Sequence, residues 1–172
     1  MELGKLKQGS VLIPQKIVHC FESITQTFDG ENVLTEGAVT CCNSHEFEVM
    51  VVGKVKSGLF SGVQLEPEND EMVLELCCKN CGKIFSGFDS TRDGYEHCGE
   101  ESSAKIKPRR FDCKKCSDSN FAVSIKYEYP DSKELDDLGI TEKDNAFTWI
   151  WVTLVCNTCG AKYSDFIDYE TA

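Results

Sequence analysis

The chain lacks any run of about 18 apolar residues, the length a helix needs to cross a bilayer, so no membrane-spanning helix is expected. Its opening, Met1-Glu2-Leu3-Gly4-Lys5-Leu6-Lys7, lacks the basic, then apolar, then cleavable order of a secretory leader. A cytoplasmic, membrane-free setting is therefore the expectation. Several enzyme signatures are also missing. There is no His-Glu-x-x-His, no Gly-x-Ser-x-Gly and no phosphate-binding glycine loop. The His-x-Glu and Pro-Cys-x-x-Cys pair of zinc deaminases is absent too, and neither His45-Glu46 nor His97-Cys98-Gly99-Glu100 replaces it.

What the chain does have is cysteine: eleven in 172 residues, with 41% hydrophobic content, enough for a packed core. Eleven is an odd number. In an oxidising compartment it would mean a disulfide framework with one thiol left over. The cytosol keeps thiols reduced, and these cysteines fall into repeated Cys-x-x-Cys pairs, which points to metal, with zinc first.

Acidity is the second positive feature. The formal net charge is −11, unevenly placed: residues 1–104 carry 8 Lys and Arg against 17 Asp and Glu, and residues 105–172 carry 10 against 12. An acidic first half repels phosphate backbones.

Comparing the chain with itself shows a repeat. Met72-Val73-Leu74-Glu75-Leu76-Cys77-Cys78-Lys79-Asn80-Cys81-Gly82-Lys83-Ile84-Phe85-Ser86-Gly87-Phe88 lies without a gap over residues 150–166, which contain Val155-Cys156-Asn157-Thr158-Cys159-Gly160 and Tyr163-Ser164-Asp165-Phe166. Each copy reads as an apolar strand, a Cys-x-x-Cys-Gly turn and a second strand. Upstream, Cys42-Asn43-Ser44-His45 before Phe47, Val49 and Val51 matches Cys113-Lys114-Lys115-Cys116 before Phe121, Val123 and Ile125. Each unit is ligand pair, strand, connection, strand, ligand pair.

That layout, over roughly residues 38–90 and 108–170, resembles the zinc-ribbon superfamily, in which two knuckles at the ends of small β-structures hold one zinc. The resemblance implies a mainly β chain of two tandem zinc-ribbon-like modules with small antiparallel sheets. Residues 1–104 would hold N-terminal strands and the first module, and residues 105–172 the second. The 32 residues between His45 and Cys78, and the 39 between Cys116 and Cys156, exceed a compact ribbon and place extra strands or loops between knuckles.

The second ligand set follows from spacing, and the first, where Cys41-Cys42 and Cys77-Cys78 are adjacent pairs, from the repeat. Two residues between cysteines let both sulfurs reach one ion, and Gly82 or Gly160 after the second permits the positive φ such a turn needs. Cys113, Cys116, Cys156 and Cys159 form the second set. A thioredoxin-like thiol pair would need a βαβ context that is missing. In the first copy Cys77 aligns with Val155 and reads as a small buried hydrophobe, leaving Cys42, His45, Cys78 and Cys81 as ligands. The alternative is a surface His45 with Cys41 or Cys98 as the fourth ligand. Two structural zinc ions per chain are expected. A closed four-ligand site leaves no position for substrate, so catalysis is not expected.

Other segments carry weaker signals. Thr148–Val155 is apolar on both faces of a strand, with Trp149, Trp151, Thr153 and Val155 on one side and Ile150, Val152 and Leu154 on the other. One face covers the ribbon core, and the other packs on the first module or forms an exposed aromatic patch for a partner. Lys105–Lys115 holds six basic residues and one acid, a linker complementing the acidic half or a phosphate-contacting patch. Glu66-Pro67-Glu68-Asn69-Asp70-Glu71 reads as a charged turn, with a placement similar to the acidic hairpin tip of transcript-cleavage ribbons. Ser132–Gly139 reads as a short capped helix, and Val11–Ile13 and Ile17–Phe21 as strands. The expected role is a protein-interaction module, an adaptor or inhibitor whose acidic surface meets a basic protein partner. The alternative is a nucleic-acid- or transcription-machinery-associated ribbon using residues 105–115.

Overall fold

The computed structural model describes residues 11–59, 62–97 and 100–171. The chain is mainly β and antiparallel. Its strands are β1 (Phe21–Asp29), β2 (Asn32–Val39), β3 (Phe47–Val52), β4 (Lys54–Gly58), β5 (Gly62–Glu66), β6 (Val73–Cys78), β7 (Ile84–Asp89), β8 (Arg109–Phe111), β9 (Phe121–Tyr129), β10 (Trp149–Cys156) and β11 (Lys162–Glu170). One short helix, α1 (Ser132–Asp137), lies between β9 and β10, and Asp131 before it makes no side-chain capping bond.

The repeat is visible strand by strand. In the first copy β3 pairs with β6, placing Phe47 opposite Cys78, Val49 opposite Leu76 and Val51 opposite Leu74. In the second copy β9 pairs with β10, placing Phe121 opposite Cys156, Val123 opposite Leu154 and Ile125 opposite Val152. The third strands agree as well: Leu76 faces Phe85 and Leu154 faces Tyr163, each followed by a bulge. Period-2 alternation of apolar residues fixes this register, because a one-residue slip would turn each apolar set to solvent.

The copies are not separate small sheets. β2, which leads into the first ligand pair, is paired with β9 of the second copy. β8, which leads into the second ligand pair, is paired with β3 of the first. Each copy thus lends its leading strand to the other. The result is a β1-β2-β9-β10-β11 layer and a β8-β3-β6-β7 layer, joined where Phe47 meets its counterpart Phe121. Their inner faces share one core. Phe111 of β8 packs on Phe121, Tyr163 and Phe166, and Phe88 of β7 packs on Phe147 and Tyr169. β4 and β5 form a separate hairpin.

Several expectations for the flanking segments change. Residues 11–14 form no strand, and Val18–Cys20 is a 3-10 turn, with strand structure starting only at Phe21. The segment is held without strand pairing: Ile13 and Ile17 are buried in the core, Gln15 donates to Asn145 (3.2 Å) and Asp144 (2.7 Å), and Lys16 contacts Asp93, which also accepts from Arg92 (2.9 Å). The turn after β7 thus supplies one of the contacts that hold the N-terminal segment, through Asp93. Cys20 is buried, as its apolar surroundings in sequence suggest.

The basic and acidic segments meet each other. Glu68 and Glu71 close a tight turn in which Asn69 and Asp70 adopt positive φ of 51° and 63°. The Glu71 carboxylate accepts the backbone N–H groups of Lys105 and Ile106, at 3.0–3.1 Å, and Glu68 accepts from Arg109 at 2.7 Å. Arg110 pairs with Asp112 at 2.8 Å.

Candidate metal centres

Two groups of four cysteines bring their sulfurs together, Cys41, Cys42, Cys78 and Cys81 in one and Cys113, Cys116, Cys156 and Cys159 in the other, with all sulfurs of a group within 4.8 Å of one another. In the first, Sγ···Sγ is 3.6 Å for Cys41–Cys81 and 3.7 Å for Cys42–Cys78. In the second it is 3.6 Å for both Cys113–Cys159 and Cys116–Cys156. A tetrahedral zinc with Zn–S bonds of about 2.3 Å spaces its sulfurs by about 3.8 Å, whereas a disulfide requires about 2.05 Å. The donor sets fit a four-coordinate, thiolate-preferring ion.

The downstream knuckles are built alike. The Cys78 N–H donates to the Lys83 carbonyl (2.9 Å) and the Gly82 N–H to the Cys78 carbonyl (2.8 Å). The corresponding bonds at Cys156 to Ala161 and Gly160 to Cys156 measure 2.8 and 2.9 Å. Gly82 and Gly160 stand at φ of 73° and 72°, the left-handed region that lets the chain double back past the second sulfur. Each knuckle is also tied to the strand entry beside it, Lys79 N–H to the Glu46 carbonyl and Asn157 N–H to the Asn120 carbonyl, both 2.9 Å.

The upstream knuckles differ, and here the sequence-based ligand set is corrected. Cys41, not His45, joins Cys42, Cys78 and Cys81. The His45 ring is turned away from the thiols, with Nε2 2.8 Å from a Glu22 carboxylate oxygen and Nδ1 3.2 Å from the Val39 carbonyl. Cys41 and Ser44 exchange both backbone hydrogen bonds, at 2.8 and 3.0 Å, around Cys42 and Asn43 with φ of 45° and 60°. This is a two-residue turn of the type I′ class. Adjacent residues of a strand point to opposite faces, but the left-handed backbone at Cys42 breaks that alternation, so two neighbouring thiols serve one ion.

The strand register gives the correct equivalence. Ala38 lies opposite Ser124 and Arg110 opposite Met50, and Ser124 and Met50 are matching positions of the two copies. Three residues further on come Cys41 and Cys113. The short sulfur pairs agree, since Cys41 partners Cys81 as Cys113 partners Cys159. The sequence signal was the apolar residue two places upstream, Val39 before Cys41 and Phe111 before Cys113. Cys77 lies outside the cluster and is half-exposed rather than buried, its thiol 3.8 Å from the Gly82 carbonyl. Cys98 lies outside the described residues.

Second-layer contacts separate the two centres. Around the first, the Asn80 side-chain amide donates to Cys42 Sγ at 3.2 Å. Around the second, the Tyr163 hydroxyl lies 3.1 Å from Cys113 Sγ while accepting the Lys114 N–H at 2.8 Å, and Thr158 contacts Asp118 across the knuckles. Without a cation the thiols titrate very unequally. Backbone hydrogen bonding near Lys83, then the neighbouring thiols, bring Cys81 down to about 7, while burial and the same thiols push Cys41 up to about 12. In the second group burial opposes ionisation of Cys113, but the Tyr163 hydroxyl and nearby backbone N–H groups prevail and lower it to about 6. For Cys116 a backbone hydrogen bond favours the thiolate, yet burial and the other three thiols carry it up to about 12. In each quartet one thiol is lowered and at least one is raised, and a divalent ion bound to the sulfurs would favour the thiolate form of all of them.

No protein-family model, curated protein or solved structure matches the chain.

Proposed function

We propose that the chain is a zinc-stabilised, non-catalytic protein-interaction module, an adaptor or inhibitor whose acidic surface engages a basic protein. The observation that carries this reading is the pair of closed four-cysteine groups at the strand ends of one β-core, each half exposed. Four sulfurs complete a tetrahedral zinc, so the ions act as struts and offer no position to a substrate. The resemblance to zinc ribbons belongs to the knuckles, and the shared core makes the two modules one body. The formal charge of −11 falls by four further units with two zinc ions on eight thiolates, since each four-thiolate centre is −2. Such a field favours encounter with cations.

The nucleic-acid alternative draws its cations from residues 105–115. Its two arginines are already paired, Arg109 with Glu68 and Arg110 with Asp112, which favours the protein reading. Elemental analysis of the reduced protein should return close to two zinc ions per chain, and less than about one would remove the basis of the proposal. Immobilised zinc-loaded protein should retain a basic protein in a salt-sensitive manner. A salt-dependent mobility shift with DNA or RNA that disappears in R109E/R110E would transfer the assignment to the nucleic-acid alternative.

A further inference from the structure

The inner face of β10 is spent on the core, but its outer face carries both tryptophans of the chain. Trp149 and Trp151 are half-buried and stacked on each other, with ring centroids 5.6 Å apart and planes 12° apart. The strands on either side surround them with carboxylates. Trp149 lies between Glu128 of β9 and Glu170 of β11, and Trp151 between Lys126 and Asp168, with Glu36 of β2 beyond Lys126. Four carboxylates against one ammonium thus frame an aromatic pair. Lys126 already shows the chemistry: its Nζ sits 4.2 Å from the centroid of the Trp151 ring.

We infer that the Trp149–Trp151 face is the docking surface of the module and that its occupant is a basic peptide segment of a partner protein, held by an arginine or lysine on Trp149. This deepens the protein-interaction reading proposed above and rests on it. An indole face attracts a cation through its quadrupole, and the planar guanidinium of arginine stacks best. Trp149 has carboxylates on both flanking strands, which add charge attraction for a cation on the ring, and its indole N–H donates to Asp168 at 2.6 Å, which holds the ring in place. Tryptophan is also a side chain that concentrates binding energy at interfaces. A phosphate backbone would meet repulsion on this face.

Both tryptophans of the protein lie in the proposed site, so intrinsic emission reads it directly. Zinc-loaded full-length protein would be titrated with a nine-residue arginine peptide at physiological salt. Emission should change saturably, and the dissociation constant should rise at least tenfold in W149A and in E128Q/E170Q. In E48Q/E75Q, which removes the same charge from the outer face of the other layer, it should change less than twofold. If W149A fails to fold by circular dichroism, the glutamine pair decides alone, because it removes no apolar side chain. Binding of a fluorescently labelled copy of the peptide that leaves the tryptophan emission unmoved, or that weakens equally in all variants, would overturn the assignment of this face while leaving the interaction reading intact. If neither the arginine peptide nor any basic protein is retained, the interaction reading falls with it.

Discussion

A single residue decides whether the two candidate metal centres are of one kind. With His45 as a ligand the first centre would be a three-sulfur, one-imidazole site; with Cys41 it is a second four-sulfur site. Cys41→Ser should therefore reduce zinc content from about two to about one ion per chain, whereas His45→Ala should leave both ions bound and remove a half-exposed pair with Glu22 and a contact to the Val39 carbonyl, each worth about 1 kcal/mol or less. Plasma emission analysis of the two purified variants checks this, and loss of an ion in His45→Ala would restore the imidazole to the site. Tyr163 is the other residue with a measurable role. Its hydroxyl is 3.1 Å from Cys113 Sγ and accepts from Lys114. Tyr163→Phe should cost about 1 kcal/mol of stability. It should also weaken metal retention at the second centre by roughly 10-fold or more, as loss of an outer partner does. Stopped-flow chelation would show one of the two release phases accelerated and the other unchanged.

At the scale of elements, the reciprocal placement of β2 and β8 decides how the molecule unfolds. Were the copies independent, damage to the first centre would leave β10 and its tryptophans in place. Here β2 is hydrogen-bonded to β9 along Val33–Ala38 and then enters the Cys41–Ser44 turn, so freeing that turn loosens an edge of the second copy's sheet. Cys78→Ser, a substitution in the first copy, should therefore lower the midpoint of tryptophan emission and of far-ultraviolet circular dichroism together, in one transition. Two separated transitions, with the emission change unaffected, would show the copies to be autonomous.

For the molecule as a whole, the shared core alters what metal removal does. A lone two-stranded knuckle has little apolar area and depends on its ion for folding. This chain buries Phe47, Phe88, Phe121, Tyr127, Phe147 and Phe166 in a single cluster, with Val, Ile and Leu from both layers around them. Burial of an aromatic or branched side chain contributes about 1.5–3 kcal/mol before entropy is counted. Protein stripped of metal by a strong chelator in reductant should keep its β-type circular dichroism at 25 °C and melt cooperatively, at a lower temperature than the loaded form. A coil spectrum on chelation would show that the ions, not the core, hold the two layers together.

The sequence by itself determined the local features: two copies of strand, Cys-x-x-Cys-Gly turn and strand, the period-2 apolar pattern that sets the registers of β3–β6 and β9–β10, and seven of the eight clustered thiols. These are properties of short segments, where side-chain alternation and the positive φ of Gly82 and Gly160 act within a few residues. Only the tertiary structure decided which strand lies beside which. Neither β2 nor the three-residue β8, two of whose residues are exposed arginines, carries a local pattern that assigns it to one copy, and their exchange is the pairing that closes both layers over one core. The same long-range choice selected Cys41. Its thiol reaches Cys81 because β2 is fixed against β9 and the Cys42–Asn43 turn is left-handed. Neither condition is written in the spacing of cysteines, so aligning Cys42-x-x-His45 with Cys113-x-x-Cys116 left Cys41 as an alternative only; the local cue that aligns it is the apolar residue two places upstream, Val39 matching Phe111.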